Sequence, residues 1–310
     1  MDLAPVLLVA VFGLQYATTI SIAAQGELIT EKSGILNIGI EGVMLMASFT
    51  AALSNVYFQL ILGIANPYLP LIIGVATGVA MNFVFAFLST KAHVDQVIAG
   101  IGINIFALGI IYVLSAKQIL GSRINGTTPV SNTIPPVFVI HNISSNLSIG
   151  ISPLTILMFV LPLLTYLLLS KTKFGLHIRA VGENPKAAEV AGIGVARTRI
   201  LATSLGGVLL GLAGSYLTVD LFDSYTRNAT AGIGFIAIAA VIAGGWNPTY
   251  VLATGLIFGA SIGLTTVVAT TGPVFFLFST IPYVLTVAVL AIASKRLRPP
   301  TALATPYKKE

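Results

Sequence analysis

Cysteine does not occur in the 310-residue chain, so disulfides and thiolate metal or redox sites are excluded. Charge is nearly as scarce: Asp, Glu, Lys and Arg make up 8% of the residues, against roughly 25% in an ordinary soluble domain. The phosphate loop G-x-x-x-x-G-K-[ST] is missing, which excludes ATP hydrolysis by that route. His93, His141 and His177 are scattered with no paired spacing, so no metal ligand and no catalytic residue is assigned. The opening MDLAPVLLVAVFG lacks a basic segment, so the first apolar stretch is expected to stay as a helix rather than be cleaved.

Apolar runs are what the chain has in quantity: 56% of its residues are hydrophobic and its mean hydropathy is +0.96. A membrane span takes about 20 such residues. Candidates lie at about 3–24, 35–56, 69–89, 96–116, 153–170, 199–219, 231–245, 249–268 and 274–293. The expected fold is all-α, a polytopic membrane helix bundle of eight to ten transmembrane helices with nine as the best value. It forms one domain over about 1–295, with a basic tail at 296–310. The weakest span is Gly232 to Gly245, only 14 residues long.

Loop charge sets the orientation. Lys171, Lys173, Arg179, Lys186, Arg197 and Arg199 crowd the loop at about 171–199, which places it in the cytoplasm. The 36-residue connection Lys117 to Ser152 has two Lys or Arg and belongs outside. Alternation then puts Gly26 to Gly34 inside and the C-terminal KRLR inside. The net charge of +6 follows from this topology, and no nucleic-acid partner is expected.

Within the loop, LHIRAVGENPKAAEVAGI (Leu176 to Ile193) carries helix signals. Asn184 is a capping residue, Pro185 suits the first turn, and Gly192 is placed to end a two-turn helix. A surface helix between two spans suits the docking of a cytoplasmic partner. Glu41 stands out elsewhere, a carboxylate inside ILNIGIEGVMLMAS that costs at least ~2.5 kcal/mol at membrane depth. Asn37, four residues earlier, would share its helical face. Two roles stay open for Glu41: a structural hydrogen-bonding group, or a wall of a translocation path. Gln15, Gln25, Asn82 and Asn104 are uncharged polar residues suited to interhelical hydrogen bonds or, for Gln15 and Asn104 with Asn37 and Glu41, to a path for a neutral hydroxyl-rich solute. Gly206, Gly207, Gly211 and Gly214 have the spacing that lets helix backbones approach closely.

TEKSGILNIGIEGVMLMAS (Thr30 to Ser48), FGLHIRAVGENPKAAEVAGI (Phe174 to Ile193), GGWNPTYVLATGLIFGA (Gly244 to Ala260) and IPYVLTVAVLAI (Ile281 to Ile292) together resemble the permease subunits of ABC importers for simple sugars and nucleosides. That superfamily includes the ribose and branched-chain amino-acid permeases. LNIGIEG and GENPKAA look most like its nucleoside branch. The resemblance implies a non-catalytic subunit of the cell membrane, with no cofactor of its own and ATP bound by a separate cytoplasmic subunit. It further implies a second permease chain, a different homologue or a second copy of this one, and an extracytoplasmic substrate-binding lipoprotein. By the same likeness, Gly182, Glu183, Asn184, Pro185, Ala187, Ala188 and Gly192 belong to the coupling helix that enters a cleft of the ATPase. The runner-up cargo is a simple sugar, and a self-sufficient secondary transporter is the competing class. Relatives commonly carry Pro-Leu where this chain has Ser21-Ile22, so no proline kink is carried over to the first helix.

Overall fold

The computed structural model describes residues 4–116, 128–129, 133–144, 147–222, 224–226, 228–268, 280–288, 291 and 298–307. Its helices are α1 (Ala4–Lys32), α2 (Ile40–Leu60), α3 (Tyr68–Thr90), α4 (Gln96–Ala116), α5 (Pro153–Lys171), α6 (Lys173–Glu183), α7 (Pro185–Val190), α8 (Val195–Tyr216), α9 (Ile233–Ala243) and α10 (Pro248–Val268). Seven of the described helices are long and apolar enough to cross a membrane, and the chain is a polytopic helical bundle.

α1 is the central post. From Ala17 to Glu31 every residue is buried, and the helix packs against α5, α8, α9 and α10. A helix apolar on all faces belongs in the interior of a bundle. α3, α4 and α5 instead leave Phe83, Phe87, Ile98, Ile105, Phe159 and Leu163 exposed, as lipid-facing helices do.

Close packing depends on glycine along α8. A Cβ on Gly206 would lie 2.6 Å from Gly26 O of α1, one on Gly211 2.7 Å from Val75 Cα of α3, and one on Gly214 2.2 Å from Met44 O of α2. One helix thus touches three neighbours through missing side chains, the small-residue mode of membrane packing. Gly259-Ala-Ser261-Ile-Gly263 has the G-x-S-x-G spelling of a nucleophile elbow. It lies inside the unbroken α10, with Ser261 Oγ donating to Phe258 O at 2.7 Å. It is a packing surface, its glycines set against Ala17 and Gly13 of α1.

Several expectations need correction. α1 runs unbroken through Gly26 to Lys32, so only Ser33 and Gly34 of the Gly26–Gly34 segment are non-helical. The second helix begins at Ile40 rather than near residue 35, because Ile35 to Ile38 lie in a non-helical connection. Asn37 and Glu41 therefore do not share a helical face. α9 has 11 residues, about 16 Å at 1.5 Å per residue, against a hydrocarbon core of about 30 Å; it does not cross alone. The connection at 117–152 is not all loop: Phe138–Ser144 (β2) and Leu147–Ile151 (β3) form an antiparallel hairpin. Thr128–Pro129 (β1) pairs with Ser224–Tyr225 (β4), tying this connection to the segment after α8. Of the last candidate span, 274–293, residues 280–288 are helical, and 274–279 lie outside the described residues.

Candidate functional site

Two polar assemblies stand out in the apolar bundle. The first surrounds the non-helical connection Ser33 to Gly39. Buried backbone groups that leave a helix must be paired within the protein, and three helices supply the partners. Glu27 Oε1 of α1 accepts from Asn37 N at 3.0 Å. Gln96 Oε1 of α4 accepts from Leu36 N at 2.8 Å. Asn104 of α4 donates through Nδ2 to Ile38 O at 3.0 Å and accepts through Oδ1 from Gly42 N at 2.7 Å. Arg199 Nε of α8 donates to Ser33 O at 3.1 Å.

Asn37 closes this network. Its Oδ1 accepts from Gly39 N at 3.0 Å, and its Nδ2 donates to Asn82 Oδ1 at 2.9 Å. Asn82 Nδ2 in turn donates to Thr203 O on α8 at 2.9 Å. Asn37, Asn82 and Asn104 thus all hold backbone. Gln25 does likewise, donating to Pro248 O at 2.8 Å. Gln15 stands apart, with its buried Oε1 unpartnered among the described residues.

Glu41 builds the second assembly. Its Oε1 accepts from Thr230 Oγ1 at 2.5 Å and Gly232 N at 2.8 Å, and its Oε2 accepts from Gly234 N at 2.8 Å. Gly232, with φ +87, turns the chain into α9, a conformation that glycine adopts without strain. The carboxylate thereby satisfies the first N–H groups of a helix that starts inside the bundle, where the helix dipole also favours an anion.

Glu41 is not alone among acids in the bundle. Glu27 and Glu31 of α1 are both 0% exposed. Glu31 accepts a hydrogen bond from the indole Nε1 of Trp246. In the sequence GELITEKSG reads as a loop, although it carries two acids four residues apart beside an apolar run. Trp246 itself sits at φ 55, in the turn between α9 and α10.

At the basic end of the bundle, α6 and α7 meet at Asn184, whose Oδ1 accepts from Ala187 N at 3.0 Å and caps α7. Pro185 occupies the first turn, and Gly192 leaves it at φ +84. Ala188 is buried against Val181 and Val195. Ala187 and Val190 point away from the protein, Val190 at 91% exposure. Among the described residues no other large hydrophobic side chain is as exposed. Gly182 packs against Lys32 O at the end of α1, its place for a Cβ only 2.1 Å from that oxygen.

Glu183, though exposed, is held within the chain. Its Oε2 accepts from Thr301 Oγ1 at 2.8 Å, and Ala302 N donates to Gly182 O at 2.9 Å. Thr305 O accepts from Arg199 Nη1 at 3.2 Å, and Tyr307 donates its hydroxyl proton to Glu189. Residues 298–307 therefore strap the α6–α7 unit to the ends of α1 and α8 instead of hanging free. Lys295, Arg296, Lys308 and Lys309 lie outside the described residues. Removing residues 299–310 is expected to speed amide exchange in α7 roughly tenfold or more, since several hydrogen bonds worth about 1 kcal/mol each are lost. Unchanged protection of Ala187 to Ala191 in mass-spectrometric exchange would contradict the strap.

The family described as "Branched-chain amino acid transport system / permease component" matches residues 9–293. The chain is 32% identical to the guanosine ABC transporter permease protein NupQ of Bacillus subtilis, over 100% of this chain and 99% of that one. It is 29% identical to the nucleoside ABC transporter permease protein NupC of Lactococcus lactis, over 96% and 95%. It is also 30% identical to the putative glucose ABC transporter permease protein TsgC13 of Haloferax volcanii, over 96% of each. No solved structure matches the chain.

Proposed function

The chain belongs to the permease family of branched-chain amino acid transport systems, and we propose on that premise that it is the membrane subunit through which an ABC importer moves nucleosides. It is a multi-pass protein of the cell membrane and a transport subunit. End-to-end similarity to two permeases named for guanosine and nucleosides carries the cargo assignment. ATP is bound and hydrolysed by a separate subunit at the basic, cytoplasmic end, where α7 presents Ala187 and Val190. The C-terminus is on that same side, because residues 298–307 pack on α6 and α7. A second permease chain completes the path, and an extracytoplasmic binding lipoprotein delivers the solute.

The side chains of Asn37, Asn104 and Glu41 serve this function by shaping the bundle. Each is engaged with backbone, so their part in the path is to hold its walls. A simple sugar is the second reading, favoured by the similarity to a putative glucose permease. Thermal shift of the binding protein that works with this permease separates the two. Guanosine or another nucleoside at 100 times its Kd is expected to stabilise that protein by about 2.7 kcal/mol. A shift with glucose or leucine and none with any nucleoside would overturn the assignment.

A further inference from the structure

We propose that a cavity of about 400 Å³ between α1, α9, α10 and residues 282–283 is the station in this subunit where the base of a passing nucleoside stacks and its ribose is held. The proposal rests on the nucleoside reading and gives it a place. Among the described residues the cavity is walled by Tyr16, Phe222, Ile233, Thr265, Thr266 and Tyr283, with further aliphatic side chains around them. Its volume lies within the range of roughly 300–1,000 Å³ found for small-molecule sites. Tyr16 lies 12 residues into α1, roughly 18 Å along it, and Ile233 is the first residue of the inward-starting α9. The cavity therefore sits within the bundle rather than at either end.

Its chemistry is that of a flat, neutral ligand with one greasy and one hydroxylated part. Tyr16 and Phe222 meet edge to face with ring centres 6.3 Å apart and 65° between planes, leaving ring surface for a third aromatic group. Tyr283 stands at the mouth, 55% exposed, its hydroxyl donating to Ala231 O at 3.5 Å. Thr265 and Thr266 each donate to Ile262 O, at 2.6 and 2.9 Å; Thr266 also shares a hydrogen bond with Tyr16, and the lone pairs of Thr265 are left to accept from a sugar hydroxyl. Among the described residues no ionised side chain lines the cavity. Behind Ile233, the Glu41 carboxylate is already paired with Gly232 N and Gly234 N. An amino acid zwitterion would find no counter-charge among the described residues here, and a bare pentose would leave the rings and isoleucines without a partner. A nucleobase fills that apolar part, because stacking on an aromatic ring tolerates any base.

The test uses the complete transporter, permease pair, ATPase and binding protein, in proteoliposomes. Phe222→Ala and Tyr283→Ala are each expected to raise the KM for guanosine uptake about tenfold with basal ATP hydrolysis unchanged, and Phe222→Trp to keep near-normal uptake. A photoreactive azidopurine nucleoside is expected to label peptides containing residues 229–236 or 262–266 of the unmutated chain, with guanosine but not ribose protecting. This second reading needs no variant to fold. Guanosine uptake with a normal KM in both alanine variants, and no protected label, would overturn the cavity and leave the nucleoside assignment standing. Labelling there by a diazirine fatty acid, unaffected by guanosine, would assign the cavity to lipid and overturn the proposal. Absence of nucleoside uptake by the unmutated transporter would overturn both.

Discussion

Uptake by the assembled transporter is expected to fall to background when Ala187→Arg and Val190→Asp are combined, with the permease still present in the membrane at its normal level. Both side chains are exposed on α7, outside the apolar bundle, so neither change disturbs the core. The fold of α7 itself is held by Asn184, Pro185 and the buried Ala188. A partner that covers Val190 would have to bury two new charges. Central contacts of an interface are commonly worth ~2 kcal/mol or more each, so ATPase association should weaken roughly a hundredfold to a thousandfold. Co-purification of the ATPase with the variant, read beside uptake, checks this. Normal co-purification and uptake would mean that α7 is not the docking element. Glu183, on the neighbouring turn, is a less direct probe, because its Oε2 also accepts from Thr301.

Glu41→Ala should act by a different route and nearly as severely. It removes the acceptor for Thr230 Oγ1, Gly232 N and Gly234 N at once. A buried donor left without a partner costs ~1–3 kcal/mol, so the three together approach the whole stability of a typical domain. The expected result is loss of folded protein, seen as a much lower melting temperature in detergent and poor recovery from the membrane. Gly234→Ala should repeat it in part, because a Cβ there would stand 2.7 Å from Glu41 Oε2 and 2.8 Å from its Cα. A Glu41→Ala protein that is fully stable yet transports nothing would instead place the carboxylate in the solute path.

What the sequence revealed divides along a physical line. The long apolar spans, the capped helix at Asn184 and the glycine ridge of α8 are local patterns, readable from spacing and residue type alone. Glu27 and Glu31 were hidden because a charged stretch beside an apolar run looks like a loop. Their depth has partners that lie elsewhere: Glu27 accepts from Asn37 N of the adjoining non-helical connection, and Glu31 from the indole of Trp246. Glu41 was noticed for its cost, but its purpose depends on Gly232 and Gly234, about 190 residues away. Hydropathy overestimated α9 for a related reason: GIGFIAIAAVIAGG is apolar throughout, and nothing within it tells that its helix begins at depth on a borrowed carboxylate. The cavity beside it is composed of side chains from separate helices, none of which is distinctive in its own segment.

Solute uptake with and without the ATPase tests the account at its centre. Proteoliposomes holding the complete transporter should accumulate tritiated guanosine only when ATP is supplied to the side bearing α7. Those holding this chain alone should accumulate none, with or without an ion gradient. Guanosine accumulation by the lone chain, driven by a proton or sodium gradient, would contradict the account.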